Sequence, residues 1–411
     1  MPCHGGSAPA VSRSWVSGGQ RQVYSTVPPR HLYIHVPFCA RRCSYCDFSI
    51  AVRRVVPVSA YLDALRAELW VQKLGRYVER SAFSGGRHSP TPPDQSALET
   101  VYVGGGTPSR LGAEGIRELL AIVGEVHPIA PGAEITIEVN PDDISARSLE
   151  AWAAAGVNRL SIGVQTFDDS ALEWMHRTHS AEQSLDALRL VRQSGIHNFS
   201  IDLIFALPLS LSRSWKDDVD RVLAFQPAHI SLYGLTVEPS TPLARWTAAG
   251  ITRAAPDDCY ADEFLYAHDA ATAAGYDHYE VSNFALPGSQ SRHNSAYWSG
   301  ASYIGAGPSA HSFDGACRSW NIAPYAAWAA RLEAGQSVTF GEETLTEANR
   351  LAEKVYLGLR TAAGLTVQAS DLEAARAWVA QGWAVLSDAR VRLTPEGWLR
   401  LDTLAAGLTG I

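Results

Sequence analysis

Between residues 31 and 235 strand-like runs alternate with helical ones, and this rhythm limits the fold more than any other feature of the chain. The strand-like runs are HLYIHV (31–36), TVYVGG (100–105), EITIEV (134–139), NRLSIGV (158–164), NFSIDLI (198–204) and HISLYGL (229–235). They are rich in β-branched and aromatic residues, as strands are. SAYLDALRAELWVQKL reads as a helix, with Ser59 as the expected N-cap and Leu62, Leu65 and Leu69 on one face. EGIRELLAIVGEV is a second, and ARSLEAWAAAG a third with Gly156 as its C-cap. Apolar strands joined through helices form a parallel sheet covered by helices. Six such units predict an α/β fold, an incomplete (β/α)6 barrel of the TIM type. Barrels of this kind carry their chemistry at the C-terminal ends of the strands.

The rest of the chain is arranged around this core. Residues 1–30 are rich in Gly, Ser and Pro and are expected to form a flexible tail. SGGRHSPTPPDQS (84–96) reads as a loop inserted in the barrel, which is expected over residues 31–270. Residues 271–339 are expected to be a linker region. Beyond residue 340 the order becomes helices, a hairpin turning at Asp388-Ala389-Arg390, and a helix capped at Thr394 with Pro395 in its first position. That order predicts a winged-helix-like α+β module over 340–411.

Polar residues collect where such a barrel works. GGGTPS (104–109) follows the second strand, and Glu138 and Asn140 end the third. Gln165 follows the fourth, and Asp202 lies within the fifth. The first strand leads into HVPFCARRCSYCDFSI, which holds Cys39, Cys43 and Cys46, half of the chain's six cysteines. Three thiolates on one loop can hold three corners of a cubane [4Fe–4S] cluster. From the residues alone, a zinc site with His35 as fourth ligand and three packed thiols remain alternatives. GGGTPS could equally be a phosphate loop, without the Walker lysine, or a plain turn. Glu138, Arg177 and Asp202 could each be structural ion pairs. Cys3, Cys259 and Cys317 have no partner in sequence and read as packed or surface thiols.

Taken in order, these motifs resemble the radical S-adenosylmethionine (SAM) superfamily, in its coproporphyrinogen III oxidase-like branch. The likeness rests on Cys39-x3-Cys43-x2-Cys46 with Tyr45 before the last cysteine, and on GGGTPS, TIEVNPDD, GVQTFDD, MHRTH and SIDLIFALP. It extends over nearly all of the chain after residue 30, through HISLYGLTVEPSTPL and YEVSNFA to the C-terminal module. It implies a [4Fe–4S] cluster on Cys39, Cys43 and Cys46 whose open iron chelates SAM and, when reduced, splits it to a deoxyadenosyl radical. It also implies SAM binding by Tyr33, Tyr45, Phe48, Gly104, Gly105, Thr107, Glu138, Gln165, Arg177 and Asp202. Glu138 would meet the ribose and Arg177 the SAM carboxylate. Thr166 stands beside Gln165 in the same motif.

That branch contains two activities on one fold, so the fold does not separate them. One is the oxidative decarboxylation of coproporphyrinogen III. The other is heme binding and delivery by heme chaperones. In the oxidases a fourth cysteine follows the third by two positions; here that position is Phe48, in CDF, as in the chaperones. The oxidases also carry a longer structured segment before the barrel, where a loose tail is expected here. HNSAYW (293–298) matches a His-Asn-x-x-Tyr-Trp motif associated with heme. The resemblance thus implies heme binding by His293, Tyr297 and Trp298, with an imidazole on the iron and aromatic rings on the macrocycle. His311 is a secondary candidate. A heme chaperone serving heme-requiring proteins such as respiratory-chain enzymes is expected, with peripheral membrane association compatible and enzymatic SAM cleavage left open. The oxidase is the alternative.

Charge narrows the remaining classes. The formal charge of −8 argues against a general nucleic-acid binder. In the C-terminal module Arg376, Arg390, Arg392 and Arg400 are interleaved with Glu373, Asp388, Glu396 and Asp402, which suits a lid or a platform for partner proteins better than a DNA-binding face. No apolar run is long enough to span a bilayer, and MPCHGGSAPAVSRSWVSGGQ lacks the apolar core of a signal peptide. A cytoplasmic protein is expected, a compartment in which clustered cysteines are more often ligands than disulfides.

Overall fold

The computed structural model describes residues 29–83 and 97–409. The expected tail, apart from its last two residues, and the expected 84–96 loop lie outside the described residues, as does Cys3. Six strands run parallel in chain order: β1 (His31–Val36), β2 (Leu98–Gly105), β3 (Ile129–Val139), β4 (Arg159–Gln165), β5 (Asn198–Phe205) and β6 (His229–Gly234). Between and after them come α1 (Val58–Phe83), α2 (Gly112–Val126), α3 (Ala146–Ala154), α4 (Ala181–Gln193), α5 (Trp215–Phe225) and α6 (Asp257–Ala273). Helix α1 begins at Val58, with the Tyr61 amide on Pro57 O, so Ser59 lies inside its first turn rather than capping it. Gly156 follows α3 in the left-handed region, where the absence of a side chain avoids a steric penalty.

The strands alternate along most of their length. Val101 and Val103, Ile135 and Ile137, Leu160 and Ile162, Ile201 and Leu203, and Ile230 and Leu232 pack outward into the core under the helices. Leu62, Leu65 and Leu69 of α1 join that core. Burying each such side chain contributes roughly 1.5–3 kcal/mol. The residues between them in β2 to β6 belong to the other face: Thr100 and Tyr102, Thr136 and Glu138, Ser161 and Gly163, Ser200 and Asp202, Ser231 and Tyr233. In a two-residue repeat these side chains share the lumen of the partial barrel. The register aligns Tyr33 with Tyr102, Glu138 with Ser161, Gly163 with Asp202, and Asp202 with Ser231.

The 271–339 segment, expected as a linker, adds strands to both edges of this sheet. β7 (Asp277–Glu280) and β8 (Asn283–Ala285) extend it antiparallel beyond β6, and β9 (Ile304–Ala306) pairs parallel with β1. The full order is β9-β1-β2-β3-β4-β5-β6-β8-β7. Between the two edges the chain forms α7 (Arg292–Trp298). A separate antiparallel sheet follows, built from His311–Phe313, Cys317–Asn321 and Thr339–Thr344.

Glu68 ties these pieces together from inside α1. It accepts the Gly307 amide at 2.8 Å, the Asn321 amide group at 2.6 Å, the Trp328 indole N–H at 3.0 Å and the Gln72 amide group at 2.9 Å. The C-terminal part holds helices Glu347–Arg360, Leu372–Ala380 and Leu401–Thr409 around a three-stranded antiparallel sheet. Its hairpin turns through Asp388 and Ala389, both at positive φ, and Thr394 caps the following helix by accepting the Gly397 amide at 3.2 Å.

Candidate cofactor site

The cysteine loop leaves the C-terminal end of β1 and folds back on itself. Phe38–Cys39 pairs with Ala51–Val52, and the Arg53 amide donates to Cys39 O at 3.0 Å. The loop is pinned to the far side of the barrel at Ser44: its amide donates to Met175 O at 3.1 Å, and its carbonyl accepts the Leu243 amide at 2.8 Å. Thr107 Oγ1 donates to Cys39 Sγ at 3.5 Å, and Arg177 Nη1 to Cys43 Sγ at 3.5 Å. Burial pushes the Cys39 thiol up, and the Cys46 thiol up to about 12. For Cys39 the hydrogen bond from Thr107 opposes that shift. A metal or cationic neighbour would therefore be needed to hold these sulfurs as thiolates.

The thiols do not converge on one point: among the described residues no three His, Cys, Asp or Glu side chains gather for a single metal ion. A cubane asks for something else, since it spreads its three thiolates over three irons. His35, the zinc alternative's fourth ligand, has both ring nitrogens engaged elsewhere, Nε2 with Ser49 O at 2.9 Å and Nδ1 with Tyr33 Oη at 3.2 Å. Burial lowers its pKa to about 4, so it is neutral.

The glycine run approaches the loop closely. A Cβ on Gly106 would stand 2.8 Å from the Pro37 backbone and 3.0 Å from Cys39 Sγ. A Cβ on Gly105 would meet the His35 ring at 2.7 Å, and its φ of +112° already disfavours any side chain. The Gly105 amide donates to Glu138 Oε2 at 3.0 Å, and Tyr102 Oη donates to Glu138 Oε1 at 3.0 Å. Burial nonetheless pushes the Glu138 carboxyl up to about 7. Asp202 accepts from Ser161 Oγ and Ser200 Oγ, both at 2.7 Å, and burial raises its pKa too.

Arg177 is held by the backbone and a side chain together. Its Nη2 donates to Asn140 Oδ1 at 2.7 Å and to Gly163 O at 3.0 Å, while its buried Nε has no partner. Gln165, at φ 69°, folds back so that its Nε2 would lie 2.8 Å from a Cβ on Gly163. Tyr33 stacks on Tyr102 with centroids 6.2 Å apart, and Phe48 is 36% exposed on the loop surface. Tyr45 lies beside Arg177, Cys43 and Cys46. Thr166 turns away and donates to Asp218 at 2.7 Å. The donor set fits a cubane and a zwitterionic nucleoside ligand: three thiols, a bare glycine edge, an orphaned guanidinium N–H and two carboxylates that can accept hydroxyls.

The His293 motif is arranged differently from what its sequence suggests. Helix α7 starts on Glu134, whose two oxygens accept the Arg292 and His293 amides at 2.9 Å each. His293 is 1% exposed. Its Nδ1 is 2.7 Å from Thr100 Oγ1 and its Nε2 is 2.9 Å from Tyr297 Oη. Trp298 packs under the Arg360 guanidinium, 4.4 Å from the ring centroid. Heme ligation by His293 would require one ring nitrogen to give up its partner and the buried ring to open to the macrocycle. The motif therefore seals the N-terminal end of the lumen, because an enclosed aromatic cluster satisfies its polar tips internally. His311 is half-buried and stacks on Trp320 at 5.9 Å.

The residues missed in the sequence are the lumen partners Tyr102, Ser161, Ser200 and Ser231. The period-two alternation within each strand was the signal that marks them.

The sequence model of the Radical SAM superfamily matches residues 33–220. The chain is 33% identical over 340 residues to the heme chaperone HemW of Lactococcus lactis, covering 83% of this chain and 84% of that protein. It is 36% identical to HemW of Synechocystis, over 82% of this chain and 79% of that one. With HemW of Mycobacterium tuberculosis it shares 33% identity, over 93% and 95% of the two chains. Among solved structures it resembles coproporphyrinogen III oxidase (HemN) from Escherichia coli, at a TM-score of 0.72 and 23% identity, over 93% of this chain and 90% of that one. That likeness concerns the fold.

Proposed function

Because the chain belongs to the HemW family of radical SAM proteins, we propose that it binds heme and passes it to heme-requiring proteins, respiratory enzymes among them. The observation that carries this reading is the similarity to HemW chains along most of their length, joined to a cysteine motif that ends in Asp47-Phe48.

In this proposal Cys39, Cys43 and Cys46 hold a [4Fe–4S] cluster. Tyr33, Tyr45, Phe48, Gly104, Gly105, Thr107, Glu138, Gln165, Arg177 and Asp202 surround SAM. When bound, the cluster supplies one-electron chemistry to SAM. The chain's own residues bind and orient. Arg177 offers its unpartnered Nε to a carboxylate. Glu138 and Asp202 accept hydroxyls, and Tyr102 fixes the Glu138 carboxylate in place. Thr107 and Arg177 donate to the sulfurs and so stabilise their charge. Heme rests elsewhere than on the His293 imidazole, which serves the barrel floor. The protein works in the cytoplasm, meeting its acceptors there or at the membrane surface; no helix among the described residues is long and apolar enough to cross a membrane.

The test is a heme titration of the anaerobically reconstituted protein, followed at the Soret band, with transfer to an apo-heme protein as the second readout. Saturable binding at a fixed stoichiometry and transfer are expected. SAM-dependent release of carbon dioxide from coproporphyrinogen III, without heme binding, would replace this reading by the oxidase.

A further inference from the structure

The short helix Asp169–Trp174 ends beside the cysteine loop, and a histidine closes it. The His176 amide donates to Glu173 O at 2.9 Å, the Arg177 amide donates to Leu172 O at 2.9 Å, and His176 takes a φ of 60°. This is the left-handed position that ends many helices, and glycine ordinarily fills it because a side chain meets a steric penalty there. Ending the helix therefore does not call for an imidazole.

Both chain neighbours of His176 hold the cysteine loop. Met175 O accepts the Ser44 amide at 3.1 Å, and Arg177 Nη1 donates to Cys43 Sγ at 3.5 Å. The His176 ring stands edge-on to Trp246, with centroids 5.3 Å apart and planes 79° apart, and Trp174 lies 5.8 Å from the same indole. Trp246 belongs to the helix Pro242–Ala248 after β6, and the Leu243 amide of that helix donates to Ser44 O at 2.8 Å. All three rings are half-buried.

The other histidines of the barrel are engaged. His35, His229 and His293 have partners on both ring nitrogens, and His179 Nε2 meets Val164 O at 3.1 Å. The His176 ring enters no hydrogen bond or ion pair among the described residues. A half-reachable imidazole with a free lone pair, set between two indoles, offers an iron macrocycle an axial nitrogen and aromatic surface together. Ile251, 74% exposed, extends the apolar surface, and its amide donates to Trp246 O at 2.9 Å. Arg42 and Arg245 each stand two residues from the Ser44–Leu243 contact and form no ion pair among the described residues. They are the cations available to the carboxylates of the macrocycle.

We propose that His176 is the axial ligand to heme iron at the mouth of the barrel, with Trp174 and Trp246 against the macrocycle. The inference rests on the heme-binding reading above and gives it a site. The bond forms from a ring-nitrogen lone pair into an open position of the iron; any water there leaves, and no electron is transferred. Heme held here lies beside the loop of Cys39, Cys43 and Cys46, on a half-exposed surface from which an acceptor protein can take it.

The experiment uses the full chain with its cluster reconstituted anaerobically and ferrous heme as the probe. Resonance Raman scattering reads the iron–histidine stretch, and titration at the Soret band reads affinity. The wild type is compared with His176→Gly, which removes the imidazole and suits the left-handed backbone, and with His176→Asn as a second variant tolerant of that backbone. Trp246→Ala and His293→Gln are measured alongside, and circular dichroism checks each fold. Expected are an iron–histidine stretch in the wild type and in His293→Gln, and its loss in both His176 variants with affinity weaker by about ten-fold or more. Trp246→Ala should keep the stretch and lose affinity. A stretch that persists in a folded His176 variant overturns the proposal, as does its loss in folded His293→Gln alone. Stoichiometric heme on the wild type without a histidine stretch overturns the site and leaves the heme-binding reading standing. If the wild type takes up no heme at a fixed stoichiometry, that reading itself has failed and the site falls with it.

Discussion

His293 lies against Tyr102, ring centroids 5.1 Å apart and planes 30° apart, and Tyr102 in turn donates to Glu138. One stacked pair thus joins the floor of the barrel to the carboxylate at its working end. Replacing His293 with Ala should cost about 2–4 kcal/mol, because it removes the stack and leaves Thr100 and Tyr297 without that partner. Urea unfolding measures it. The axial-ligand spectrum of bound heme should persist in a folded His293→Gln variant; its loss would mean that the imidazole leaves the floor to reach the iron.

Glu138 gives a pH dependence of known sign. Its folded pKa, about 7, lies above the ordinary glutamate value. Below that ordinary value both folded and unfolded states are protonated. Between it and about 7 only the folded state keeps the proton, so the stability contribution falls as pH rises, and above 7 the loss is complete. Unfolding curves across this window should show a downward slope with pH that is reduced in Glu138→Gln. An equal slope in the two proteins would assign it to another group.

Arg177 reaches Cys43, Asn140 and Gly163 at once. A lysine has no planar fork with which to make these contacts together. Arg177→Lys should weaken SAM binding about ten-fold or more, corresponding to at least about 1.4 kcal/mol. Isothermal titration of the reconstituted protein with SAM measures this, and an unchanged affinity would remove Arg177 from the ligand's surroundings.

Glu68 is satisfied by four donors and faces no cation among its hydrogen-bond partners. A glutamine there would turn an NH2 toward two of those donors. Glu68→Gln should therefore destabilise by about 2–4 kcal/mol. Glu68→Ala should be no better, because it removes the acceptor of the Gly307 amide and the Trp328 indole N–H, although Gln72 and Asn321 keep their bonds to Gly305 O and Gly307 O. Thermal unfolding of both variants is the check.

The rhythm of strands and helices was legible because each outer strand face is continuously apolar and each helix carries a matching stripe. The cysteine loop and the glycine run were legible because their chemistry is local, carried by spacing within a few residues. Arg177 and Asp202 were named from motifs, whereas Tyr102 and the serines around Asp202 are assembled across neighbouring strands. The edge strands β7 to β9 escaped because they are three or four residues long and gain their stability from the sheet they join. His293 shows where sequence runs out for a physical reason: an imidazole among aromatics looks alike in sequence whether it faces a ligand or a buried hydroxyl.

The pairing of β1 with β9 has a consequence for how the protein is made. The first strand of the barrel receives its outer neighbour only from Ile304–Ala306, near the far end of the chain. During synthesis the cysteine loop therefore emerges from the ribosome long before the edge beside it can be covered. Such distant pairings form slowly, because the entropy of closing a long loop must be overcome first. Strand β1 therefore keeps an open edge, beside the loop that follows it, until Ile304–Ala306 has been made and has reached it.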